Sequence, residues 1–154
     1  MSLLHAVRRA VRDTEGSEVL EFALVLPILL VVMGGIVDAG FLFNNYEVVT
    51  NAAREGARLG ALPGFDDDDV IDRVNDYLAA GGLDPAKATV VPTPDDLDVL
   101  GHTVHGVKVT VTYTYDYLLL GPLANAFYMK DKPLDNSVTV TAKATMRREL
   151  AAGL

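Results

Sequence analysis

The sequence predicts an α+β fold: a long N-terminal helix containing a transmembrane segment, then a small head with a second helix and a three-stranded antiparallel sheet. Three observations predict it. Phe22 to Phe43 is almost continuously apolar. Val70, Ile71, Val74, Tyr77 and Leu78 recur at helical spacing. Val107 to Tyr117 and Ser137 to Met146 alternate strictly between apolar and polar residues, the period of a half-buried strand. The expected divisions are a leader over 1–16, a helix over 17–61 with its span at about 22–43, and an extracytoplasmic head over 62–154.

The leader carries Arg8, Arg9 and Arg12 just ahead of the apolar run. Basic residues on one flank hold that flank in the cytoplasm, and the far flank opens with Asn44, Asn45 and Glu47. The expected topology is therefore single-pass, N-terminus in and C-terminus out. No small-x-small cleavage site follows the apolar core, so the pattern departs from an ordinary secretory signal. A cleavage-like junction, Gly16-Ser17, precedes the apolar run instead.

Phe22 to Phe43 reaches about 33 Å as a helix, enough to cross a bilayer. A fully buried helix of a soluble protein can be equally apolar, but the remaining chain is too small to enclose one. Pro27 removes a backbone donor and clashes with the carbonyl of Ala23, so a bend is expected there. Gly34, Gly35, Ala39 and Gly40 are small residues of the kind that let another helix approach closely. Two carboxylates, Glu21 and Asp38, stand at the ends of this segment, where an acid is costly unless it has a partner or a role. Asp38 has two readings, a near-interface acid that is partly solvated or protonated, or a member of a specific interhelical pair.

Past Asn44 the helical pattern continues, with Ala53, Gly56, Ala57 and Gly60 forming a stripe suited to close packing. Pro63-Gly64 ends it. Asp66 to Asp69 then opens the second helix, where acids complement the positive end of the helix dipole. This acidic run lacks the alternating spacing, central glycine and distal glutamate of a calcium loop, so no metal is expected. Gly81-Gly82 is the expected stop. Lys87 to Val91 reads as a short strand ended by Pro92, and Pro92 to Asp98 as an acidic loop. Leu118 to Met129 is apolar but too short to span. Covering the sheet is its default role; lying on a membrane or a neighbouring subunit are the alternatives.

The net charge of −8 falls mostly on the part beyond Asn44, which argues against a nucleic-acid partner. The absence of cysteine excludes disulfides, thiolate metal sites and cysteine nucleophiles. His102 and His105 lie near Asp95, Asp96 and Asp98, but Gly101 and Gly106 bracket them, which reads as a surface loop and not a metal-binding helix face. No phosphate-binding loop, dinucleotide fingerprint, nucleophile elbow or zinc-protease motif is present. The sequence thus supports neither an enzyme nor a cofactor.

From Gly16-Ser17 through Val19-Leu20-Glu21-Phe22-Ala23-Leu24-Val25-Leu26-Pro27, the chain resembles the TadE-like minor pilins, or pseudopilins, of tight-adherence (Flp-type) type IV pilus systems. The resemblance continues through Gly35-Ile36-Val37-Asp38 and Thr50 to Arg58, and again at the valine- and threonine-rich strand and Ala144-Thr145-Met146-Arg147. It implies a prepilin whose peptidase cuts between Gly16 and Ser17. Ser17 becomes the new N-terminus, open to N-methylation, and Glu21 the fifth mature residue. Glu21 and Phe22 are then the assembly residues, and Asp38, Pro27, Gly34 and Gly35 the intramembrane polar or helix-packing positions. The implied partners are other minor and major pilins, the prepilin peptidase, the inner-membrane assembly platform and membrane lipid. The implied location is the inner membrane, then the pilus or cell surface, in support of adhesion and biofilm formation. Glu18 departs from the family, which usually has a small or apolar residue there. A permanently anchored single-pass protein with an outer binding domain is the alternative reading, and a tethered hydrolase using His102 and His105 a third.

Overall fold

The computed structural model of the chain describes residues 14–99, 101–127 and 136–149. The leader up to Asp13, the end of the apolar stretch at Tyr128 and Met129, and the C-terminal tail lie outside these residues. The first helix, α1, spans Thr14–Gly60 and runs unbroken through Pro27. It ends as expected: Ala61 and Leu62 donate their N–H groups to the carbonyls of Ala57 and Leu59, and Gly64 takes a left-handed conformation at φ 92°.

The chain divides into two units. One is Met1–Ala39 with Leu118–Leu134; the other is Gly40–Tyr117 with Asp135–Leu154. The second unit is the α+β head. Besides the end of α1 it contains α2 (Asp67–Ala80), a short 3-10 turn at Pro85–Lys87, and strands β1 (Ala88–Val99), β2 (His102–Asp116) and β3 (Ser137–Arg147). The sheet is antiparallel in the order β1-β2-β3.

Both ends of α2 are written in local sequence. Asp66 caps it, accepting from the N–H groups of Asp68 and Asp69, while the Asp69 carboxylate accepts from the N–H of Asp66. This reciprocal box satisfies orphan donors of the first turn. At the other end Gly82 adopts φ 79°, and Leu83 and Gly82 donate to the carbonyls of Leu78 and Ala79. That is the Schellman arrangement, and its usual apolar contact is supplied by Leu78 and Leu83, both in the core.

The core follows the predicted parity. Val107, Val109, Val111, Tyr113 and Tyr115 of β2 are buried with Val140 and Ala142 of β3. Val70, Val74 and Leu78 of α2 and Val49, Ala52, Ala53 and Ala57 of α1 complete the cluster. The small-residue stripe on α1 is what admits α2. A Cβ on Gly56 would lie 2.5 Å from Val74 Cγ2, and one on Gly60 3.1 Å from Val70 Cγ2.

Two sequence expectations are corrected. Pro92 does not end a strand, and Pro92 to Asp98 is not a loop: β1 continues to Val99 and pairs with β2 as far as Val99↔His102. Pro92 and Pro94 share one parity, and β1 is an edge strand, so their missing donors fall on the open side of the ladder. Consequently His102 and His105 stand on β2 rather than in a loop. The turn between the strands is tightened by Gly101, at φ 80°, whose N–H donates to Asp98 Oδ1 at 2.8 Å.

The first unit holds the apolar half of α1 and a short helix, α3 (Leu120–Phe127). Leu118 to Met129 falls within this unit. Its described part packs on α1, where Leu119 and Leu123 approach Gly34 and Leu120 approaches Gly35. The reason lies at Asp38, considered next.

Candidate membrane and assembly segment

Alpha-1 is long and apolar enough to cross a membrane, and only 6% of its most apolar window is buried within the chain. A core helix of a soluble protein would be mostly covered. Here Leu20, Phe22, Leu24, Ile28, Leu29 and Val32 are all more than half exposed. This half of α1 therefore presents a bare apolar surface, which in water would be strongly unfavourable.

Gly16 and Ser17 fall in the first turns of this helix, and Ser17 is exposed. Glu21 and Phe22 are exposed on its outside, and no hydrogen bond or ion pair joins Glu21 to another described residue. Pro27 is half-buried. Gly34 is buried and Gly35 half-buried, both beneath α3. The small residues at 34 and 35 thus receive a helix of the same chain. A Cβ at Gly34 would stand 3.1 Å from Leu123 Cδ1 and 3.4 Å from Leu119 Cβ, so any larger side chain pushes against α3.

Asp38 differs sharply from Glu21. It is fully buried. Its Oδ1 accepts from the N–H of Leu118 at 2.8 Å, and its Oδ2 from the N–H groups of Leu119 at 3.0 Å and Leu120 at 2.6 Å. These are orphan donors at the start of α3, the positive end of its dipole. The carboxylate therefore caps α3 from across the fold, eighty residues away in sequence. Of the two sequence readings of Asp38, partial solvation does not apply in this structure. Partners lie on the same chain, and they include the backbone N–H groups at the start of α3.

The head half of α1 carries a second polar fixture. Glu55 forms a bidentate pair with Arg58 (3.0 and 2.9 Å) and also accepts from Arg73 of α2 at 2.7 Å. The two guanidinium groups, Arg58 first, lower its carboxyl from the usual 4.5 to about 2. Sequence reasoning passed over Glu55. The Arg58 pairing is visible as an i,i+3 spacing, whereas nothing local points to Arg73.

His105 Nδ1 lies 2.8 Å from Asp96 Oδ1, and the two residues face each other across β1 and β2. Both are mostly exposed. His102 is exposed at the start of β2. Beside them Lys108 pairs with Asp95 at 3.0 Å, and Thr145 donates to the same carboxylate at 3.2 Å, which lowers the Asp95 pKa. These are cross-strand polar pairs of the kind that stabilise a solvated sheet face. Among the described residues, no group of three or more His, Cys, Asp or Glu is placed to hold a metal ion.

The apolar stem, its N-terminal acid and the Thr50 to Arg58 segment fall within one match: residues 16–58 fit the model of the family described as TadE-like protein. This N-terminal segment is thus similar to that family. The match begins at Gly16, covers the apolar stem with Glu21 and Asp38, and ends at Arg58, the neighbouring partner of Glu55. A stem of this length and apolarity accords with a membrane anchor. No curated protein and no solved structure matches the chain.

Proposed function

We propose that the chain is a minor pilin, or pseudopilin, of a Tad pilus, made as a prepilin and assembled through its N-terminal stem after cleavage between Gly16 and Ser17. One observation carries the reading: the TadE-like match opens at the Gly16-Ser17 junction and leads into a bare apolar helix at whose head Glu21 is exposed and has no partner among the described residues. An uncovered stem needs a surrounding of lipid or of like stems. An intramembrane acid with no partner among the described residues needs one from elsewhere.

Cleavage supplies both changes. It removes Arg8, Arg9 and Arg12, whose passage through hydrocarbon would be prohibitive, and so frees the stem from the cytoplasmic face. It also creates an amine at Ser17. Glu21 of one subunit pairs with that amine on a neighbour, offsetting the cost of burying both charges between stems. On this reading the N-terminus faces the cytoplasm and the head lies outside. Prepilin peptidase, the assembly platform and other pilins are the partners, adhesion and biofilm formation the outcome, and no catalysis is required of the chain.

Intact-mass analysis of the protein from its host, with and without the peptidase, tests this directly. The mature chain is expected to begin at Ser17 only when the peptidase is present, and Gly16→Leu is expected to block the cut. A chain that begins at Met1 in every condition would overturn the proposal in favour of a permanent anchor.

A further inference from the structure

The segment Leu118–Phe127 belongs to the head by chain order, yet it packs on the apolar stem. Measured along α1 at about 1.5 Å per residue, Asp38 lies roughly 8 Å, and Gly34 roughly 14 Å, inside the Phe43 end of the apolar run. A bilayer core is about 30 Å thick, so both positions fall within the leaflet nearer Phe43. The contacts of Leu119 and Leu123 with Gly34 bring α3 to the same depth.

At that depth two groups are individually unfavourable. A carboxylate is one. The open N-terminus of a helix is the other, because hydrocarbon offers no acceptor for its first N–H groups. Asp38 and the N–H groups of Leu118, Leu119 and Leu120 cancel each other. In water neither group would need the other. The start of the segment exposes apolar side chains as well: Leu118 is 57% and Leu119 38% exposed, in the same unit as the bare stem. Polar side chains are absent from Leu118 to Leu123.

We infer that Leu118–Phe127 is a re-entrant membrane element, inserted into the lipid of the leaflet nearer Phe43 and locked to α1 by the Asp38 carboxylate. Its occupant is lipid acyl chain and not a second protein. It rests on α1 spanning the membrane, but not on cleavage or pilus assembly. The element gives the protein a second membrane attachment, one that persists whether or not the basic leader is removed.

The absence of native cysteine makes the test clean. Full-length chain carrying Leu118→Cys, labelled with an environment-sensitive fluorophore, is reconstituted in phosphatidylcholine–phosphatidylglycerol vesicles containing brominated acyl chains. Val31→Cys on α1 reports on spanning, and Thr141→Cys on the exposed side of β3 serves as the aqueous control. Position 118 is expected to be quenched at least twofold more than position 141, and to react with a water-soluble maleimide at least tenfold more slowly. Adding Asp38→Ala is expected to raise that maleimide rate at least fivefold. Quenching at 31 without quenching at 118 overturns the re-entrant element alone, whether 118 proves open to maleimide or shielded by protein. Loss of quenching at both 31 and 118 overturns spanning itself, and the element with it. The Leu118→Cys measurement in the otherwise native chain stands even if the Asp38 variant misfolds.

Discussion

Gly56→Ala should destabilise the head, although alanine is the better helix former. Replacing an interior glycine by alanine gains about 1 kcal/mol of helix propensity. Here the new methyl would sit 2.5 Å from Val74 Cγ2, with Val109 Cγ1 at 3.4 Å and Val70 Cγ1 at 3.5 Å behind it. Val74 has no exposed surface, and a valine in a helix is confined almost entirely to one rotamer, so its methyl has nowhere to turn. Alpha-1 and α2 must separate instead. Overpacking of a tight core costs about 1–3 kcal/mol and more when backbone must move. The upper part of that range applies, and the net loss should be about 1–2 kcal/mol, or a fall of roughly 2–8 °C in Tm. Thermal unfolding of the full chain in detergent, followed by the near-ultraviolet signal of the buried Tyr113 and Tyr115, measures it. Val74→Ala should cost stability alone yet restore part of it in the double variant, giving a coupling of about 1 kcal/mol. A Gly56→Ala protein as stable as the parent, or no coupling to Val74→Ala, would refute the close approach of the two helices.

Three further outcomes are expected. Glu55 has a depressed pKa, so its pairs contribute stability above about pH 4.5 and lose it as the pH falls through about 2. Glu55→Gln should cost about 0.5–2 kcal/mol at neutral pH, less in high salt, and the gap from the parent should close by pH 2 in acid-unfolding curves. Asp66→Ala should lower the unfolding free energy by about 1 kcal/mol in denaturant titrations, because it leaves the N–H groups of Asp68 and Asp69 without their acceptor. Glu21→Ala should leave membrane insertion intact while reducing the amount of the protein in sheared filaments by about tenfold, the effect of roughly 1.4 kcal/mol per subunit contact; normal recovery in filaments would remove Glu21 from assembly.

Local chemistry made most of this fold legible. The capping box at Asp66, the glycine stop at Gly81-Gly82 and the parity of β2 and β3 are all short-range, so the sequence displays them directly. The misreadings share one cause: each depends on where an element sits among others. Pro92 ends a central strand but is tolerated on an edge, and no residue near Pro92 announces that β1 is an edge. The same oversight hid the start of β2 and left His102 and His105 in a loop. Gly34 and Gly35 were legible as a close-approach surface, while the identity of what approaches was not. Leu118 to Leu123 reads as generic apolar sequence, and its anchor lies eighty residues earlier. A long-range cap leaves no periodic trace.

Two acids of the stem, Glu21 and Asp38, show why burial, rather than residue type, decides a role. Glu21 and Asp38 are chemically near-equivalent, and each stands in an apolar stretch where a carboxylate demands compensation. Asp38 receives it from three backbone donors of its own chain, so its compensation exists before any partner arrives. Glu21 has none among the described residues, and on the proposed function its compensation comes from a neighbouring subunit's new amine. The two should therefore separate cleanly. Asp38→Ala acts within one subunit: it should loosen Leu118–Phe127 in an isolated protein, at any concentration, with the leader cut or uncut. Glu21→Ala acts between subunits: it should leave the isolated protein unchanged and appear only once processed stems meet. Measuring maleimide accessibility at position 118 and recovery in filaments for both variants gives four readings. If Glu21→Ala opened position 118 in the isolated protein, the division of labour between these acids would be wrong, and Glu21 and Asp38 would belong to one network.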